Sequence, residues 1–228
     1  MLTKILAALG IGIATVPATA AGLYTPYAEP HVNFLYNLLF CDDIALFQSS
    51  EAQKSDGVWS VLLADEVDTA ALRKIADDQA NEGRIRALAY NKLRANGVQV
   101  PKKELFGVIV EVPLEDGLDV LAAFSGGGVR YLNQSGKVSI FEGQGNPVEG
   151  LANELLTAAQ PVVNAIGPWD KERLPPPKAG NVRITFLVSD GLYFGEGPFG
   201  VLENDSMAGP VLAKASQLLQ ETVELSVR

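Results

Sequence analysis

One cysteine and one histidine occur in 228 residues, and that scarcity removes whole classes of chemistry. With Cys41 alone, no disulfide can close within the chain and no Cys-x-x-Cys metal or redox pair can form. With His31 alone, every site that takes two histidines from one chain is excluded, among them the His-Glu-x-x-His zinc helix. Positive charge is also short: 18 Lys and Arg against 27 Asp and Glu leave a formal charge of −9. An acidic surface repels phosphate backbones, so nucleic acid is not an expected partner. The cluster Arg84, Arg86, Lys92, Arg94, Lys102 and Lys103 reads as solvated helix and loop charge. No cofactor and no metal are expected, because Asp42, Asp43, Asp190 and Glu196 follow no cation-loop spacing.

What is there suits one folded domain. Hydrophobic residues make up 47% and charged residues 20% of the chain, enough apolar side chains for a sizeable core. Residues 1–20 read as an export segment: Lys4, then the apolar run Ile5–Val16, then Ala18-Thr19-Ala20 as an Ala-x-Ala cleavage site. That run is short of the roughly 20 residues of a membrane-spanning helix. The expectation is a mature chain starting near Ala21, one domain over 21–228, and a periplasmic or secreted location, with a cytoplasmic one as the alternative. Membrane contact is expected only through an uncleaved N-terminal segment.

Residues 31–40, HVNFLYNLLF, carry Leu35, Leu38 and Leu39 at helical spacing behind Pro30, which predicts a helix. Val58–Leu63 is a compact apolar run that reads as a buried strand. Asp68 is an N-cap, and a helical stretch runs from Thr69 to Asn96-Gly97, bent or broken near Gly83. Phe106–Val112 is strand-like and stops at Pro113. Leu118–Phe124, Val129–Leu132 and Val138–Phe141 follow, separated by turn residues. Loops that short force an antiparallel meander. A charge at Leu121 or Ile140 would then be buried. Asn146 and Pro147 open a helix striped by Leu151, Leu155, Ala158, Val162 and Ile166, with Pro161 inside it. Val182–Val188 and Leu192–Phe194 form a second hairpin, followed by a glycine-rich loop and a last helix over about Ser206–Leu225.

Strands and helices are grouped rather than alternating. The fold class is therefore α+β: an antiparallel sheet made of a four-strand meander plus a C-terminal hairpin, packed with three to five helices. At the level of fold alone, this order resembles small profilin-like or roadblock-like domains, a likeness that carries no function.

The motifs that carry chemistry fall short of their requirements. Gly195, Gly197 and Gly200 match Gly-x-Gly-x-x-Gly, but Pro198 interrupts the turn and no second parallel strand can follow. Ser125 would be a nucleophile elbow only with glycine at 123, where Ala123 stands. Cys41 is flanked by Asp42 and Asp43, which disfavour a thiolate, so it reads as buried, inert and slow to label. The aromatics Tyr193, Phe194 and Phe199, with Glu196, sit among glycines in Ser189–Gly200 and are the candidate contact surface for a ligand or partner. The leading reading is a non-catalytic binding or accessory domain for an unknown protein or small molecule. The alternative is a small hydrolase-like enzyme using Cys41 or Ser125 with His31. A third is a subunit that docks through the apolar residues 31–47.

Overall fold

The computed structural model describes residues 23–48, 57–115 and 117–226. The export segment and Ala21 lie outside these. The protein is α+β, built on one antiparallel sheet: β1 (Leu105–Leu114), β2 (Gly117–Phe124), β3 (Val129–Leu132), β4 (Val138–Phe141), β5 (Asn181–Val188) and β6 (Gly191–Pro198). The strand order is β4-β3-β2-β1-β5-β6. The first four strands are the expected meander. The C-terminal hairpin then pairs antiparallel with the free side of β1, Val110 opposite Ile184 and Glu111 opposite Arg183.

Alternation along each strand gives the sheet two faces, and helices cover both. One face, with Phe106, Ile109, Leu118, Val120, Phe124 and Leu187, meets α1 (Pro30–Leu38), α2 (Gly57–Leu62), α3 (Thr69–Asp77) and α4 (Gly83–Ala95). The other, with Val108, Leu121, Val129, Ile184 and Phe186, meets α5 (Glu149–Ala165) and α7 (Ala208–Ser226). A four-residue turn of helix, α6 (Phe199–Leu202), links β6 to α7. Leu121 is buried, and Ile140 is half-buried.

The helix count among the described residues is seven, above the three to five expected, for three reasons. Val58–Leu63 is not a strand; α2 occupies it, with Trp59 stacked on Phe47 at 5.9 Å between centroids. A six-residue apolar run has no periodicity that separates strand from buried helix, and packing decides. The stretch from Thr69 splits in two, capped by Asp68 on the backbone N–H groups of Ala70 and Ala71. And α6 adds a turn. The buried stripe of α5 is Ala152, Leu155, Ala159 and Val163, one residue off the expected line except at Leu155. That helix begins at Glu149, because Asn146 caps the turn before it, accepting from the Val148 N–H. Strand β1 runs through Pro113, beyond Glu111 where its pairing with β5 ends. A residue without an N–H is tolerated at such a one-sided end.

The glycine-rich segment is likewise a strand, not a loop. Gly195 and Gly197 pair with Ile184 and Val182. The β5 ladder supplies every second backbone group of this edge strand with a partner, which outweighs the weak strand propensity of glycine.

Helix α1 is buried along almost all of its length, from Val32 to Leu38. Two asparagines on it, one turn apart, hold the irregular chain before it. Asn33 accepts from the Tyr27 N–H and donates to its carbonyl, both at 2.8 Å. Asn37 does the same for Tyr24, at 3.2 and 2.8 Å. These amides substitute for a strand ladder and seat residues 23–27 beside the sheet. The apolar residues 32–41, with Leu46 and Phe47, are thus consumed by the core.

Candidate functional site

Three of the six strands carry a charge where an apolar residue is expected: Glu111 in β1, Arg130 in β3 and Arg183 in β5. All three point to the face covered by α1–α4, and all three are buried. Sheet register lines up Glu111, Arg183 and Glu196 as one row across β1, β5 and β6. Glu196 accepts from Arg183 Nε and Nη2 at 2.9 and 2.6 Å. Glu111 accepts from the Tyr36 hydroxyl at 2.6 Å, while its Oε2 has no hydrogen-bond partner and lies 3.8 Å from Arg183. Burial raises the Glu111 carboxyl above the usual glutamate range, against the lowering effect of Tyr36 and the arginines. Glu111 is fully enclosed beneath α1.

Arg173 connects this row to the surface. It lies in the stiff connector between α5 and β5. Its guanidinium covers the Phe40 ring at 4.0 Å, donates through Nε to Asp42 at 2.7 Å and through Nη2 to Asn37 at 2.8 Å. Its carbonyl accepts from the Tyr24 hydroxyl. One arginine therefore ties together the N-terminal segment, the end of α1 and the connector.

Above Arg173 opens a groove of about 620 Å³. Its walls are four separate chain segments: Leu23 and Tyr24; Asp42, Asp43 and Leu46; Trp169 with Lys171, Glu172 and Arg173; and Asp190–Leu192, with Arg94 of α4 reaching in. Trp169 is held in place by its backbone N–H to the Leu192 carbonyl at 2.8 Å and by edge-on packing with Phe194 at 5.1 Å. A smaller recess lined by Phe40, Cys41, Asn91 and Leu187 shares Asp42, Arg94, Gly191 and Leu192 with the groove.

No protein family, curated protein or solved structure matches this chain.

The likeness to profilin-like and roadblock-like domains therefore rests on element order alone, and the site has to be read from its own residues. Of the four expected contact residues, Tyr193 has no exposed area and faces the α5–α7 side, its hydroxyl donating to both Asp190 carboxylate oxygens at 3.0 Å. Phe194 and Glu196 face the opposite side, Phe194 as the backing of Trp169. Phe199, at 39% exposure, belongs to α6. Strand alternation thus separates residues that a loop would have grouped.

His31 and Cys41 stand at opposite ends of α1. Residues 31 and 38 alone are about 10 Å apart along its axis, and no hydrogen bond joins His31 to Cys41 or Ser125 among the described residues. Cys41 adopts a left-handed backbone (φ 51°) and is buried, its thiol directed at the Leu38 and Leu39 carbonyls at 3.7 and 3.8 Å. Burial pushes the thiol well above its usual range, with Arg84 only partly opposing. Labelling of Cys41 by an aromatic disulfide at neutral pH should be at least about a hundredfold slower in the folded protein than in denaturant. Equal rates would place the thiol at the surface.

The candidate acids do not converge on a cation. Asp42 pairs with Arg173, Asp43 caps the turn at Ala45, Asp190 accepts from Tyr193, and Glu196 pairs with Arg183. Of the basic residues from 84 to 103, Lys102 is exposed as expected, Lys92, Arg94 and Lys103 are half-buried, and Arg84 and Arg86 are not solvated. Arg84 and Arg86 are buried against Glu82 and Glu104. Lys92 donates to the Leu62 and Ala64 carbonyls, and Lys103 to those of Asn164 and Ile166. They tie off helix ends and connectors. No helix among the described residues is long and apolar enough to cross a membrane.

Proposed function

We propose that this protein is a non-catalytic binding domain of the exported class, and that its ligand site is the groove between Tyr24, Trp169 and Leu192. The observation that carries the reading is the groove itself. At about 620 Å³ it is of the size that takes a small molecule. Its walls are pinned by Arg173 and by the Trp169–Leu192 hydrogen bond rather than left to flexible loops. A rigid, preformed wall lowers the ordering cost of binding. The contact surface is accordingly the Trp169 side of the β6 hairpin.

Native mass spectrometry of protein purified gently from its own host tests this. Wild type should retain a small-molecule mass that Trp169→Ala loses while staying folded. Identical spectra for the two proteins would overturn the assignment. The same measurement reads the N-terminal residue, for which a start near Ala21 is expected on the export reading.

A further inference from the structure

We propose that the groove selects a small organic anion with an apolar body, and that Arg94 recognises its charge. This rests on the groove being the ligand site and names the class of ligand. Five arginines packed into the helical layer on this face of the sheet, Arg84, Arg86, Arg130, Arg173 and Arg183, each contact a carboxylate. Arg94 is different. It is half-buried in the groove wall, and no Asp or Glu oxygen among the described residues comes within salt-bridge distance of it. Its one hydrogen bond runs from Nη1 to the Ser189 carbonyl, at 2.6 Å. A guanidinium has five N–H donors in a planar fork, so most of this one is unused.

Of the four acids that line the groove, Asp43 caps the turn at Ala45, Asp42 and Asp190 are engaged elsewhere, and Glu172 makes no ion pair with Arg94 among the described residues. Asp42 binds Arg173. Asp190 acts on Arg94 only at longer range, while its oxygens accept from the Tyr193 hydroxyl and the Lys103 N–H. Burial lowers the Arg94 pKa against that influence. The cation has thus lost water and gained a carbonyl but no anionic contact, and an anion brought by a ligand restores what desolvation removed. A planar fork suits a carboxylate, sulfonate or phosphate oxygen pair. The formal charge of −9 does not cancel this attraction, because exposed charges beyond about 8 Å are largely screened at physiological salt and a half-buried contact pair is screened much less. For the rest of the ligand, Trp169, Tyr24, Leu23 and Leu192 supply apolar wall within reach of Arg94.

Two fluorescent probes of the same aromatic body separate the terms: anilinonaphthalene sulfonate, an anion, and N-phenylnaphthylamine, which is uncharged. The sulfonate should bind the folded protein more tightly, and raising the salt tenfold should weaken it while leaving the uncharged probe unchanged. Arg94→Gln should weaken the sulfonate about tenfold or more, the loss of one charge-assisted contact, and leave the uncharged probe within about twofold. Arg94→Lys should fall between. Trp169→Ala should weaken both probes. Equal binding of the two probes, with no salt effect and no response to Arg94→Gln, would overturn the anion assignment and leave the groove standing if Trp169→Ala still weakens both. Indifference of both probes to Trp169→Ala, or no binding of either, would overturn the groove and this proposal with it. The salt comparison uses the wild-type protein alone, so it decides the anion assignment even if Arg94→Gln fails to fold; because Lys171 and Arg173 line the same groove, Arg94→Lys then decides the role of Arg94.

Discussion

Alanine at position 83 should cost the domain about 3 kcal/mol or more, at the upper end of what overpacking does. Gly83 opens α4, and its N–H donates to the Ser125 carbonyl at 2.8 Å. A Cβ built there would lie far inside contact distance of the Phe106 carbonyl oxygen, 2.6 Å from Ser125 Oγ and 3.0 Å from Ser125 N. Two of these three atoms are backbone, and they already bond to each other, Ser125 N–H to Phe106 O at 2.8 Å. The Ser125 hydroxyl can rotate away, but neither backbone atom can yield without parting β1 from the β2–β3 turn or lifting α4 off the sheet. The control is the same change at Gly150, in the first turn of α5, where nothing lies within 4 Å of the added atom. There alanine should be neutral or stabilise by up to about 1 kcal/mol, because only the helix propensity of glycine is at stake. Urea unfolding of both variants checks the pair. If Gly83→Ala matches wild type, α4 does not seat on the sheet as described.

Removing the guanidinium of Arg130 should be of similar size, about 3 kcal/mol. Arg130 is 2% exposed. Its Nη1 donates to the Val129 and Phe141 carbonyls, both at 3.0 Å, and its Nη2 pairs with Glu142. Burial and the neighbouring Arg84 charge push its pKa down to about 10, so it remains a cation at neutral pH. Arg130→Ala leaves two carbonyls and Glu142 without their donor and opens a cavity beside Phe124. Breaking one side of a buried pair costs about 3–5 kcal/mol. The lower end applies because the carboxylate partners Glu82 and Glu142 are 26% and 32% exposed, and water compensates part of the loss. Arg130→Met fills the same space and should lose less. Thermal and urea unfolding of both variants measure this. Equal loss in the two would show that charge pairing, not packing, dominates; no loss in Arg130→Ala would show that the pair contributes nothing.

The elements that local chemistry specifies were legible in the residues. The hairpin Val129–Leu132 with Val138–Phe141 follows from turn residues between short β-rich runs. Gly126 and Gly127, with φ of 90° and 86°, stand where the backbone must take angles that side chains disfavour. Asp68 as a cap and Gly97 beyond the end of α4 are signals that act within one helical turn. Even the buried charges had a trace in the sequence: a single Glu or Arg inside each of LFGVIVEVPL, VRYL and NVRITFLV. Reading that trace required knowing that these positions share one face.

Composition, turn chemistry and capping by themselves determined that this chain forms an α+β domain around an antiparallel sheet, and where most of its strands and helices lie. Tertiary structure alone decided that Val58–Leu62 is helical, that Gly195 and Gly197 belong to a strand, and that Tyr193 and Phe194 face opposite layers. It also decided the shape of the candidate site. Tyr24, Asp42, Arg94, Trp169 and Leu192 are brought together only because β5 docks on the far side of β1 and Arg173 pins the connector to α1. Local signals reach over a few residues, through backbone hydrogen bonds and side-chain spacing. The groove is made by contacts between segments up to about 170 residues apart, whose partners are chosen by packing and charge pairing across the whole core.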